Sequence, residues 1–190
     1  MTREEAKNII ITNQLTKLSN ESKYKILEEF FYYENDTDVR EEIENNELPK
    51  LSDYIINLIV NNEKPVEIDH AEFDLIYKEY LSGLLYGSTD EYLIFKLKTI
   101  ANIIELDLMG NKEDLDACPC CDYLTIRPGE DGLCQICPVC FWENFGAGPN
   151  GMPIEQAKSN FKKHRVMDLR FKEYVDPEGT IKYEKRQYNI

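Results

Sequence analysis

Residues 118–142 read CPCCDYLTIRPGEDGLCQICPVCFW and hold all six cysteines of the 190-residue chain. Within them Cys118, Cys121, Cys137 and Cys140 form C-x2-C-x15-C-x2-C, a spacing inside the range of structural zinc sites. Each C-x-x-C bends into a tight turn that aims two thiolates at one point, and two such turns complete a tetrahedron. YLTIR and GLCQI alternate as strands do, and Pro-Gly-Glu-Asp-Gly between them supplies a turn, so the spacing predicts a hairpin that returns the second pair to the first. The matched C-P-x-C turns, with Pro119 and Pro138 after their first cysteines, select Cys137/Cys140 over the alternative pair Cys134/Cys137. Cys134 then falls on a hairpin strand. Cys120, between the first two ligands, is either an exposed reactive thiol or a free thiol, packed or solvated, without function. Zinc is the expected ion, with iron in a rubredoxin-like site as the rival, because four sulfurs in a tetrahedron suit both.

Working outward, the N-terminus MTREEAKNIIITNQL carries charges where a signal peptide has an apolar run, and no stretch of about 18 apolar residues occurs. The expected location is the cytoplasm, where thiols stay reduced and a dense cysteine cluster holds metal in preference to disulfides. Charge is unevenly spread. Residues 1–116 carry 12 Lys+Arg against 26 Asp+Glu, and residues 117–190 carry 10 against 10, so the whole formal net charge of -14 lies on the N-terminal part. A field of that sign repels nucleic acid and anionic membrane and attracts basic partners; acidity also serves solubility alone.

Residues 1–110 predict an acidic bundle of about five helices, and 111–190 a cysteine-rich metal-binding module with a following helix and hairpin, an α+β chain overall. Thr2-x-x-Glu5 is a capping box before an apolar run to Leu18. A second helix starts near Ser19 or Asn20 with Tyr24, Leu27, Phe30 and Phe31 on one face. The acidic ENDTDVREEIENNE, with only Val39 and Ile43 apolar, reads as a short exposed helix or loop. A third helix follows Pro49, with Ser52 as cap and Ile55, Leu58 and Ile59 recurring. Asp69 with Glu72 signals the start of a fourth, whose broad face runs from Phe73 through Ile76, Tyr77, Tyr80 and Leu81 to Leu84, with Gly87 beyond it. Ser88 or Thr89 caps a fifth, lined by Leu93, Leu97, Ile100 and Ile104. GNKEDLDA, 110–117, reads as a linker. After the cysteines, Ile154–His164 reads as a helix and FKEYVDPEGTIKY as a hairpin around a type I turn. No internal repeat is evident.

Other chemistry is not indicated. Gly146, Gly148 and Gly151 spell G-x-G-x-x-G, but no buried strand precedes them and Pro149 interrupts them, so they read as a linker. His70 and His164 lie near no nucleophile pattern, and no P-loop, G-x-S-x-G or H-E-x-x-H occurs. Lys162, Lys163, His164 and Arg165 form a short basic patch that reads as a solvated helix face. Four cysteines around one ion leave no open coordination position, so the expectation is a binding protein and not an enzyme.

CPCCDYLTI, ICPVCFWEN and GPNGMPIEQAKSNF together resemble the bacterial cysteine-rich CPCC family over about residues 118–161. Asp122 stands where the family has glycine, and FWEN where it has FWED; neither change touches a ligand. The resemblance implies a small accessory protein, and several members are proposed as immunity proteins encoded beside toxins. On that reading the partner is a basic cognate protein toxin, with a nuclease as one option, reached by electrostatic steering through an acidic rim such as Glu28 to Glu47. The alternative is a zinc-ribbon adaptor or regulator that works in a transcription or RNA-associated complex through the near-neutral C-terminal part.

Overall fold

The computed structural model describes residues 1–32, 41, 44–45, 51–63, 65, 67–103, 107–145 and 151–187. Val39, Ile43, Glu47, Pro49 and Ile104 lie outside them, as do most of the acidic segment and the Gly146–Pro149 part of the glycine-rich stretch. The described residues are mainly helical with one small antiparallel pair of strands, an α+β fold. Packing divides the chain into two compact units, one of residues 7–85 and one of Met1–Ala6 with 86–190. The division between these units falls at Tyr86, and the helix after it packs against the C-terminal segment at Glu178.

The unit of residues 7–85 contains most of α1 (Arg3–Leu15) with α2 (Asn20–Phe30), α3 (Asp53–Val60) and α4 (Asp74–Leu84). Ser19 caps α2, accepting from the Ser22 N–H at 3.1 Å, and Ser52 caps α3, accepting from the Ile55 N–H. Side chains at helical spacing then close one core of Ile26, Leu27, Ile55, Leu58, Ile59, Phe73, Ile76 and Tyr77. Tyr24, Tyr80 and Leu84, expected on buried faces, are exposed. The fourth helix also begins differently. His70 caps a 3-10 turn, Ala71–Phe73, while Asp69 pairs with Lys23 and Glu72 accepts from the Ser52 hydroxyl, so neither acid is left to cap. Tyr77 donates to the Ile68 carbonyl at 2.6 Å, and burial, ahead of the charges of Asp69 and Asp74, pushes its phenol up to about 12.

The other unit starts with the capping box. Thr2 Oγ1 accepts from the Glu5 N–H at 3.1 Å and Glu5 Oε2 from the Thr2 N–H at 2.8 Å. The buried Arg3 guanidinium pairs with Asp90 and Glu113 and donates to the Ser88 carbonyl at 2.7 Å. Thr89 caps α5 (Asp90–Ala101). The strands are β1 (Asp116–Ala117) and β2 (Leu124–Ile126), so the end of the expected linker is a strand. α6 spans Ile154–His164, as the sequence predicts, and ends at Arg165 in a left-handed conformation.

The expected hairpin over FKEYVDPEGTIKY does not form. Its place is taken by a 3-10 turn at Leu169–Phe171 and the short α7 (Gly179–Lys182). Asp176 explains the change, since its carboxylate accepts from the Glu178 N–H at 2.9 Å and from buried Lys182 Nζ at 2.6 Å, which winds the turn into a helix. Glu178 then accepts from Tyr92 Oη at 2.7 Å and Lys96 Nζ at 2.6 Å, which ties α7 to α5. The Glu178 carboxyl lies below its ordinary value; burial would raise it, but the hydrogen bonds from Lys96 and Tyr92 outweigh burial.

Candidate metal centre

The two cysteine turns have the same backbone. In the first, the Cys118 N–H donates to the Tyr123 carbonyl at 2.8 Å and the Asp122 N–H to the Cys118 carbonyl at 3.0 Å. In the second, the Cys137 N–H donates to the Trp142 carbonyl at 2.8 Å and the Phe141 N–H to the Cys137 carbonyl at 2.8 Å. Asp122 and Phe141, at matching positions, have φ of 65° and 66°. The flanking pairs match too, Ala117 with Leu124 in the first turn and Ile136 with Glu143 in the second. The chain thus contains an internal structural repeat, offset by 19 residues (137 minus 118), that was not evident in the sequence. Each arm is short, so the repeat shares little beyond C-P-x-C.

A left-handed backbone suits Asp122, whose short polar side chain tolerates it. Phe141 is an outlier there, costing on the order of 1–3 kcal/mol. Its ring is half-buried and stacks on Phe171 at 4.7 Å, with Tyr174 at 5.6 Å. The C-terminal segment fixes both turns through their carbonyls. Asp176 and Met167 N–H groups reach Pro138 and Cys140 at 2.8 Å, and the Arg186 N–H reaches Asp122 at 2.8 Å.

The pairing of β2 departs from expectation. Its neighbour is β1, before the first turn, and GLCQI is not a strand. Gly129–Gly132 forms a 3-10 turn, and Cys134 sits exposed with φ of 61°. The Gln135 side chain replaces the missing strand, donating from Nε2 to the Thr125 carbonyl at 2.9 Å and accepting at Oε1 from the Arg127 N–H at 2.8 Å. One amide supplies the donor and acceptor that a paired strand would offer.

Around this frame Cys118, Cys121, Cys137 and Cys140 are all buried, and their sulfurs all lie within 4.8 Å of one another. Cys118 to Cys140 and Cys121 to Cys137 each measure 3.6 Å between Sγ atoms. A tetrahedral ion with metal–sulfur bonds of about 2.3 Å needs sulfurs about 3.8 Å apart, so these four can hold a metal ion, zinc among them. All six cysteines are free thiols. Cys134 lies outside the cluster, and Cys120 is 4% exposed, so it is packed and not displayed. Trp142, Tyr123, Ile126, Val139, Phe161, Met167 and Tyr183 enclose the cluster and keep water from it.

The electrostatics explain what an ion would do. Hydrogen bonds from neighbouring thiols, Cys118 first, push Cys121 and Cys140 far above the ordinary thiol range, with burial adding to both. Cys137 falls well below it. Burial opposes that fall, but hydrogen bonds from Cys118, Cys121, Cys140 and Thr125 outweigh it. Four thiols this close cannot all ionise in an apolar setting, whereas a dication at their centre would stabilise all four thiolates. Thr125, whose hydroxyl lies 3.2 Å from Cys137 Sγ, had no signal in the cysteine spacing, and neither did Gln135.

His70 lies against Tyr54 in a tilted ring contact at 5.0 Å between ring centres, and His164 ends α6 exposed beside Lys162 and Lys163. No helix among the described residues is long and apolar enough to cross a membrane. No curated protein and no solved structure matches the chain. The stretch that contains both turns, β1, β2 and α6 is similar to a known family: residues 116–180 match the family described as Cysteine-rich CPCC.

Proposed function

We propose that the chain is a zinc-stabilised acidic binding protein that neutralises a cognate basic toxin by direct contact in the cytoplasm, without catalysis of its own. The observation that carries this reading is the separation of charge from metal: residues 1–116 carry the entire net charge of -14, and the cysteine pairs lie beyond them. An acidic surface accelerates the encounter with a basic protein and discourages nucleic acid and anionic lipid. Four thiolates closed around one ion are suited to holding structure, because none leaves a position for substrate. The resemblance to proteins proposed as toxin immunity factors points the same way.

Affinity purification of the tagged chain from its host, with mass spectrometry of what stays bound, tests the reading. The expected result is a stoichiometric basic protein that is toxic when expressed alone, with an association rate that falls as salt rises. A second reading, a zinc-ribbon adaptor, draws on the exposed Lys162, Lys163, His164 and Arg165. Recovery of polymerase or ribosomal components that survive a nuclease wash, together with retention on heparin at modest salt, would replace the toxin reading with that one.

A further inference from the structure

We infer that Thr125 is a positioning residue of the metal centre, its hydroxyl donating to the Cys137 sulfur from the opposite turn and strengthening metal retention. Thr125 lies on β2, which leaves the first turn, while Cys137 begins the second. The residue is 3% exposed, so its hydroxyl is out of reach of bulk solvent. Two acceptors are in reach, Cys137 Sγ at 3.2 Å and the Tyr123 carbonyl at 3.4 Å. A hydroxyl has one proton, and O–H···O bonds run about 2.5–3.0 Å, so the carbonyl is too far and the larger sulfur takes the proton.

The distance is held from both ends. Gln135 clamps β2 at the Thr125 carbonyl, and the Gln135 carbonyl accepts from the Asn144 N–H at 2.8 Å, which closes the second turn two residues before Cys137. The repeat supplies an internal contrast. Asn144 stands where Thr125 does (125 plus 19), and its Nδ2 donates at 2.8 Å to the Gly132 carbonyl, not to a sulfur. The two turns therefore share a backbone and differ in this contact, which fixes a ligand's orientation and spreads charge off its sulfur.

The inference rests on the four cysteines holding a metal and is independent of the partner. The test is zinc affinity of the full chain by chelator competition at fixed pH for two pairs that each differ by the hydroxyl, Thr125 against Thr125→Val and Thr125→Ser against Thr125→Ala. Within each pair, loss of the hydroxyl should weaken zinc binding by about 10-fold at unchanged stoichiometry, as outer-shell partners of metal ligands typically do. In the iron-loaded protein the same two losses should lower the reduction potential, because a hydrogen bond to sulfur favours the reduced ion. Equal affinity and potential within both pairs would overturn the inference, as would Thr125→Ser binding as weakly as Thr125→Ala. Wild-type protein that takes up neither ion overturns the metal reading itself, a result separate from the comparison within pairs. Should Thr125→Val not fold, the serine and alanine pair decides alone.

Discussion

The core of residues 7–85 is apolar throughout, whereas five of the 13 buried residues that cluster around the turns are cysteines. The first is assembled from helices of 8 to 13 residues whose apolar side chains recur at helical spacing. The second joins strands of two and three residues and single 3-10 turns to one regular helix, α6, through Ala157 and Phe161, so fewer of its backbone groups are paired in regular elements to offset the entropy of ordering the chain. Helical periodicity suffices to gather the one core. The other has at its centre four thiols that a shared metal ion would join, in place of the apolar contacts that fill the first.

Metal removal is the sharpest way to break this comparison. Structural zinc contributes about 10–16 kcal/mol of apparent binding free energy in small zinc domains at neutral pH, comparable with the whole stability of a domain. Chelation, or Cys137→Ser, should therefore release the amide protons of Cys118, Asp122, Cys137 and Phe141 to rapid hydrogen exchange, while those of α3 and α4 stay protected. Cys134→Ser should leave metal stoichiometry and exchange unchanged, because its side chain is exposed and outside the cluster. Protection of the turns that survives full metal removal would show that the apolar shell of Trp142, Phe161 and Met167 holds them unaided.

The apolar core has its own weak point in Phe73, fully buried and in edge contact with Phe31 at 6.1 Å between ring centres. Phe73→Ala should destabilise residues 7–85 by about 3–5 kcal/mol, the usual cost of truncating a buried phenylalanine. Denaturation followed by residue-resolved exchange should show that loss in α2, α3 and α4 with metal stoichiometry unchanged. A Phe73→Ala protein that also loses its metal would show that the two cores do not act independently.

The helical unit was legible because its signals are local. A cap such as Ser19 or Ser52 lies three residues from the N–H it accepts, and apolar spacing gives the face. Failures there came from competition between side chains, as when Asp69 and Glu72 took Lys23 and Ser52 and left the cap to His70. In the cysteine module the spacing of Cys118, Cys121, Cys137 and Cys140 identified a site whose sulfurs do converge. Its frame was harder to read, because alternation in GLCQI looks the same whether a strand or the Gln135 side chain completes the pairing. The repeat was hidden for the same reason. Asp122 and Phe141 share a left-handed backbone that no property of phenylalanine advertises, so hydrogen bonding and not residue type reveals it.

The smallest effect discriminates most finely between the cores, because it uses one motif present in both. Ser52 and Thr89 each accept from the N–H three residues on, at the start of α3 in one unit and α5 in the other. Ser52→Ala and Thr89→Ala each remove one acceptor from a helix start, and Ser52→Ala also the donor to Glu72, so in metal-loaded protein Thr89→Ala should cost about 1 kcal/mol and Ser52→Ala about 1–2 kcal/mol. After chelation the two should part. Ser52→Ala should still lower the stability of the helical unit by the same amount, since α3 belongs to a core assembled from helix side chains such as Ile55, Leu58 and Phe73. Thr89→Ala should cost less, because the Thr89 N–H donates to the Lys182 carbonyl at 2.9 Å and α7 is ordered by the same C-terminal segment that fixes the turns. If the cost at Thr89 is unchanged by chelation, α5 and α7 stay packed without the ion, and the metal's reach ends at the turns themselves.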